Sequence, residues 1–146
     1  MLVGISFAVS MAIPAEAQEA GDTFPPLAII SASFMGDEET VREILEAGTD
    51  KSVRNAFGDT ALHVAMYQDN LTIVKLLLDY GFDPDAKATR NGNTPLHNAV
   101  AVNNIGAARL LIQYGANKYI KALDGLTPLD RARKEEKNEM VTLLYR

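Results

Sequence analysis

The chain has 146 residues, 47% hydrophobic, 23% charged and 7% aromatic, with 14 basic against 19 acidic side chains and no cysteine. That length supports one ordinary globular domain with a buried core, and the lack of cysteine excludes a disulfide framework, a thiolate zinc site, a cysteine nucleophile and an iron–sulfur cluster. A net charge of -5 argues against a nucleic-acid binder, which needs a basic patch or stripe to meet phosphates.

The first segment reads as an address. Leu2 to Ile13 carry no charge and run into Pro14-Ala15-Glu16-Ala17, where Ala15 and Ala17 are the small residues of a signal-peptidase site. The run is shorter than the roughly 20 apolar residues needed to cross a bilayer. Residues 1–17 are therefore expected to be a secretory signal peptide cleaved near Ala17, leaving an exported, periplasmic or secreted protein with no membrane contact. The competing expectation is an uncleaved segment that tethers a structural scaffold to the membrane. Residues 18–26 read as a flexible lead-in, whose Phe24 could pack over the start of the folded body.

The remainder repeats. Gly58-Asp59-Thr60-Ala61-Leu62-His63-Val64-Ala65, Gly92-Asn93-Thr94-Pro95-Leu96-His97-Asn98-Ala99 and Gly125-Leu126-Thr127-Pro128-Leu129-Asp130-Arg131-Ala132 line up, with threonines 34 and 33 residues apart. A second marker keeps the same phase: Gly48, Gly81 and Gly115, each after a leucine-rich run, are spaced by 33 and 34.

These residues resemble the ankyrin repeat, in which a turn is followed by T-P-L-H-x-A and then by a second helix ending in leucines and glycine. Leu27-Ala28-Ile29-Ile30-Ser31-Ala32 occupies the signature position of a degenerate first unit. The resemblance implies an all-α repeat solenoid of helix-turn-helix units with β-turn fingers over 27–146, in repeats at about 27–54, 55–88, 89–121 and 122–146. The outer two depart most from the pattern, as terminal repeats facing water do.

The local chemistry agrees. Thr60, Thr94 and Thr127 stand where an N-cap hydroxyl accepts a free backbone N–H, and Pro95 and Pro128 follow at the first helical position, where a missing N–H costs nothing. Each first helix then places Leu and Ala on one face: Leu62 with Ala65, Leu96 with Ala99, Leu129 with Ala132. The second helices contribute Val41, Ile44 and Leu45, then Val74, Leu77 and Leu78, then Ala108, Leu111 and Ile112, then Val141 and Leu144. Gly48, Gly81 and Gly115 fall where a left-handed residue ends the second helix. The charge-dense Arg131 to Glu139 reads as a solvated terminal cap.

Chemistry for catalysis is not evident. His63 and His97 occupy the fourth position of the signature, where the resemblance implies hydrogen bonds that fix neighbouring turns, and their spacing implies no third metal ligand. Asp83-Pro84-Asp85 lacks the oxygen ladder of a calcium loop and reads as a turn. Neighbouring carboxylates at Asp37-Glu38-Glu39 and Glu135-Glu136 fall at helix starts or on solvated faces. No nucleophile elbow, phosphate loop or dinucleotide motif occurs. The expectation is a non-enzymatic monomer with no catalytic residue, no metal and no cofactor.

The resemblance places partner contacts on the concave surface formed by the first helices and fingers. The matching positions are Phe34, Met35, Tyr67, Gln68, Ala101, Val102, Lys134 and Glu135 on the helices and Ala56, Phe57, Asp59, Arg90, Asn91, Asn93, Leu123, Asp124 and Leu126 on the fingers, and of these Phe34, Met35, Phe57, Asp59, Tyr67, Gln68, Arg90, Asn91 and Val102 are the expected protein-binding residues. Aromatic and methionine enrichment marks an interface centre. Burial of Phe34 and Met35 beneath Phe24 and its prolines is the competing reading.

Overall fold

A computed structural model describes residues 24–146. The expected signal segment at 1–17 and the expected lead-in up to residue 23 lie outside the described residues. Within them the chain forms helices α1 (Ala28–Met35), α2 (Glu38–Ala47), α3 (Ala61–Ala65), α4 (Leu71–Asp79), α5 (Pro95–Ala101), α6 (Ile105–Gln113), α7 (Pro128–Lys134) and α8 (Asn138–Tyr145). No strand occurs among the described residues, so the architecture is the all-α stack that the repeat pattern implies.

Consecutive helices pack as pairs, and the pairs stack in two rows: α1 on α3 on α5 on α7, and α2 on α4 on α6 on α8. Each pair is too thin to bury its own apolar face, so the core is shared across repeats. Leu62, Leu96, Ile44, Leu77, Leu111 and Leu144 are all essentially inaccessible, and alanines 65, 99 and 132 let the first helices approach closely. Three expected core residues, Ile112, Leu129 and Val141, are only half-buried. Their burial would need cover on outer faces of the later repeats, whereas their chain neighbours Leu111, Pro128 and Met140 are the ones buried.

The caps form as the sequence requires. Thr94 Oγ1 accepts the His97 N–H at 3.4 Å, and Thr127 Oγ1 accepts the Asp130 N–H at 3.1 Å. In the last unit Asp130 replaces histidine and keeps the capping half of its role, accepting the Thr127 N–H at 3.0 Å. The degenerate first unit has Leu27 at the same place, and α1 starts without a side-chain cap. Second helices are capped by Asp37, Asn70 and Asn104, and at the fourth position of this series Lys137 reaches back to the carbonyls of Val100 and Ala101 at 2.5 and 2.6 Å. A cation there suits the negative end of α5.

Between the pairs the chain forms fingers closed by backbone bonds: Asn55 N–H to Asp59 carbonyl at 3.0 Å, Ala88 to Asn93 at 2.8 Å and Ala122 to Leu126 at 3.0 Å. The second finger is one residue longer at its tip. That extra residue is the source of the 34-residue spacing between Thr60 and Thr94. Adjacent fingers touch at Gly58, whose φ is +81° and where a Cβ would come within 2.4 Å of the Thr89 backbone nitrogen. Only glycine satisfies both conditions. Gly48, Gly81 and Gly115 all have positive φ, but Gly48 combines φ 85° with ψ 118°, outside the left-handed helical region.

Candidate protein-docking groove

The concave surface is divided into two unlike halves. Over repeats one and two, α1, α3 and the first two finger tips enclose an open groove of about 600 Å³. Its floor is Ile30 and Val64, both buried, and its walls are Phe34, Phe57 and Tyr67, exposed by 56%, 54% and 51%. Three large rings left half in water around an apolar floor form a surface that lacks a protein partner within the described chain. Ser31, Asn55, Asp59, Arg90 and Asn91 complete the lining.

Each ring is held by the repeat frame. Phe34 lies in the last turn of α1, and its carbonyl accepts from Gln68 Nε2, which ties the first helix to the second repeat. Phe57 lies at the first finger tip, where Asn55 Oδ1 accepts both the Phe57 and Asp59 N–H groups, at 2.9 and 3.0 Å. The longer second finger carries Arg90 over Phe57, with the guanidinium carbon 5.2 Å from the ring centroid. Tyr67 follows α3, and burial followed by the negative charge of Asp59 holds its hydroxyl above the usual phenol range.

Over the later repeats one row of the concave surface is bonded internally. In the row that holds Val64 in the second repeat stand Asn98 and then Arg131, and these bond internally. Asn98 Nδ2 donates to the His63 carbonyl at 3.4 Å, Asn93 Nδ2 to Asn98 Oδ1 at 3.3 Å, and Arg131 to Asn93 Oδ1 at 3.1 Å. Arg131 also pairs with Asp124 at 2.8 Å. A surface whose polar groups bond one another offers few to a partner.

Of the expected contact residues, Phe34, Phe57, Asp59, Tyr67, Arg90 and Asn91 are brought together around this groove. Met35, Gln68 and Val102 lie outside its lining. Met35 is 78% exposed at the end of α1, Val102 is exposed past α5, and Gln68 directs its amide into the stack. Phe24 does not cover Phe34 or Met35: it lines a separate depression with Pro26, Ile44 and Val53, at the first helix pair. Ile30, Val64 and Asn55 were not among the expected contacts. Ile30 and Val64 read as core when only the shared apolar face is considered, and the signal for Val64 lies in its row, where later repeats carry Asn98 and Arg131.

The histidines stitch the stack. His63 Nε2 bonds the Asn93 carbonyl at 2.9 Å and His97 Nε2 the Leu126 carbonyl at 3.0 Å, each reaching the finger that enters the next repeat. Asp83 Oδ1 accepts the Asp85 N–H at 2.9 Å and Asp85 Oδ1 accepts the Asn117 N–H at 2.7 Å, so this pair builds a turn and links two fingers. No group of three or more His, Asp or Glu able to hold a metal ion occurs among the described residues.

A family profile described as ankyrin repeats (3 copies) matches residues 28–122. Over 60 residues the chain is 37% identical to an ankyrin repeat protein of Acanthamoeba polyphaga mimivirus, covering 41% of this chain and 37% of that one. It is 34% identical over 67 residues to cyclin-dependent kinase inhibitor 2A of Monodelphis domestica, covering 46% and 39% of the two chains. A third similarity, 39% identity over 57 residues, is to the DNA replication inhibitor plutonium of Drosophila melanogaster, covering 39% and 33%. Each match thus spans less than two fifths of the relative's length. With the helix pairs, the histidine stitches and the profile in register, the chain belongs to the ankyrin repeat family, whose modules are non-catalytic and mediate protein–protein interactions.

Proposed function

We propose that this ankyrin stack binds a protein partner in the groove between α1, α3 and the first two fingers, and that it does so outside the cytoplasm. The observation that carries the site is the meeting of three half-exposed aromatic rings over a buried apolar floor, beside a row, Asn93, Asn98 and Arg131, whose polar groups bond one another. Large aromatic anchors in a partly desolvated pocket supply most of the energy of such interfaces. Export to a periplasm or medium rests on the charge-free Leu2 to Ile13 and the Ala15/Ala17 pair. Two of the relatives carry names of inhibitors, which favours blocking the partner's activity as the mode of action. The protein acts as a monomer in this reading, with no nucleic acid, cofactor or metal.

Affinity capture from the native cell envelope, run in parallel with a Phe57→Ala/Tyr67→Ala variant, tests the site. One protein retained by the wild type and lost by the variant supports it, whereas identical captures by both refute it. The intact mass of the expressed protein tests export. Loss of residues 1–17 supports the cleaved form, and their retention turns the reading to a tethered scaffold. No helix among the described residues is long and apolar enough to cross a membrane.

A further inference from the structure

Charge is unevenly distributed along the chain. Between Asp85 and Asp124 the chain has no carboxylate side chain, and in this interval lie Lys87, Arg90, Arg109, Lys118 and Lys121. Lys87 and Arg90 belong to the second finger and Lys118 and Lys121 to the approach to the third, whose tip carries Asp124, itself paired with Arg131. The two fingers abut, since Leu123 N–H donates to the Asn91 carbonyl at 2.9 Å.

Arg90 is the point where this basic run meets the groove. The residue added at the second finger's tip brings its guanidinium over Phe57, and no carboxylate lies within 4.0 Å of it among the described residues. One face of the guanidinium is thus occupied by an aromatic ring while its N–H edge meets no acceptor among the described residues, an arrangement suited to a carboxylate, which accepts two parallel bonds from such a fork. The groove's one carboxylate, Asp59, is half-buried beside Tyr67.

Resting on the docking reading above, we propose that the occupant of the groove is an acidic peptide segment of a partner protein, with a large apolar side chain seated between Phe34, Phe57 and Tyr67. An adjoining carboxylate pairs with Arg90. The rings supply affinity, and Arg90 selects the sign of the charge beside them.

Fluorescence anisotropy with three dye-labelled peptides tests this. Each has a central Trp-Leu pair, flanked by glutamates, glutamines or lysines. The glutamate peptide is expected to bind about tenfold tighter than the glutamine peptide, with the lysine peptide weakest, and rising salt should narrow the gap. Arg90→Gln should reduce the preference severalfold and Arg90→Lys should keep part of it, while Phe34→Ala should weaken all three peptides. Circular dichroism verifies that each variant is folded. Equal or tighter binding of the glutamine or lysine peptide overturns the acidic assignment, as does a preference unchanged by Arg90→Gln. If those peptides still depend on Phe34, the docking reading survives that failure. Absence of binding by every peptide overturns the inference, and the capture experiment then judges the groove separately.

Discussion

His63 and Asn93 are joined across a repeat boundary, with the imidazole Nε2 donating to the Asn93 carbonyl at 2.9 Å. Nδ1 of the same ring accepts the Thr60 N–H at 3.2 Å, so the ring is neutral and its proton resides on Nε2. His97 repeats the arrangement between Thr94 N–H at 3.1 Å and the Leu126 carbonyl at 3.0 Å. Protonation of Nδ1 would set two donors against each other in a buried site.

Stability should accordingly depend on pH below neutrality. Burial holds both histidines below their ordinary value of 6.5, the bonded carbonyls opposing it only in part. A group whose folded value is depressed contributes full stability above its unfolded value and loses it as pH falls through 6.5 toward the folded value. The slope in that window is at most about 1.4 kcal/mol per pH unit for each ring. Urea unfolding at pH 7.5 and 5.5 should show the loss, and His97→Gln should remove its share of the slope. Equal stability at both values would refute the assignment. Asp124 and Asp130, held low first by the Leu126 and Thr127 N–H groups, add a separate loss as pH falls through 3.8.

Core and groove residues should separate in a paired experiment. Leu77 and Leu111 are fully buried, whereas Tyr67 is 51% exposed. Leu77→Ala or Leu111→Ala should cost about 2–5 kcal/mol by leaving a cavity in a shared layer. Tyr67→Ala should cost under about 1 kcal/mol of stability while weakening the partner complex. Chemical denaturation of the three variants checks this, and equal destabilisation would contradict the division between core and surface.

The fold was readable because each repeat states its boundaries several times over: Thr94 and Pro95 start a helix, Leu96 and Ala99 name its buried face, and Gly115 ends the next helix. The groove was only half readable. Phe34, Phe57 and Tyr67 could be placed on the concave side by position, but Ile30 and Val64 have the same composition as core and become a floor only because the neighbouring side chains stand apart. The spacing of 34 between Thr60 and Thr94 was visible, yet a period does not reveal which element holds the added residue. Its consequence, Arg90 stacked on Phe57, depends on the path of the finger. The Asn93–Asn98–Arg131 network was hidden for another reason: Arg131 bonds Asn93 from 38 residues away, and its charge-dense neighbours suggested solvent.

Glycine at the first finger should be irreplaceable in a way that a helix-ending glycine is not. Gly58 and Gly115 have φ of +81° and +86°, but only at Gly58 would a Cβ collide, 2.4 Å from the Thr89 nitrogen, while nothing lies within 4 Å at Gly115. Gly115→Ala should cost about 1–2 kcal/mol from backbone conformation alone. Gly58→Ala adds a backbone clash and should cost more, and it should also shift Arg90 off Phe57 because Thr89 must move. Thermal melts of both variants, with peptide binding as a second readout, decide between them. Equal costs would mean that the two fingers separate freely.

Ser33 offers a stabilising substitution. Its side chain is fully buried in α1, and its hydroxyl makes no hydrogen bond among the described residues. The equivalent positions of the next two repeats hold Met66 and Val100, both buried apolar side chains. A buried hydroxyl without a partner costs roughly 1–3 kcal/mol by the scale of protein substitutions. Ser33→Ala removes that cost, gains helix propensity, and leaves a gap no larger than one oxygen atom. Stability should rise by about 1 kcal/mol, read as a higher urea midpoint at unchanged slope. A lower midpoint would mean that the hydroxyl has a partner in solution, and Ser33→Thr, which keeps the hydroxyl, would then retain more stability than Ser33→Val of the same shape.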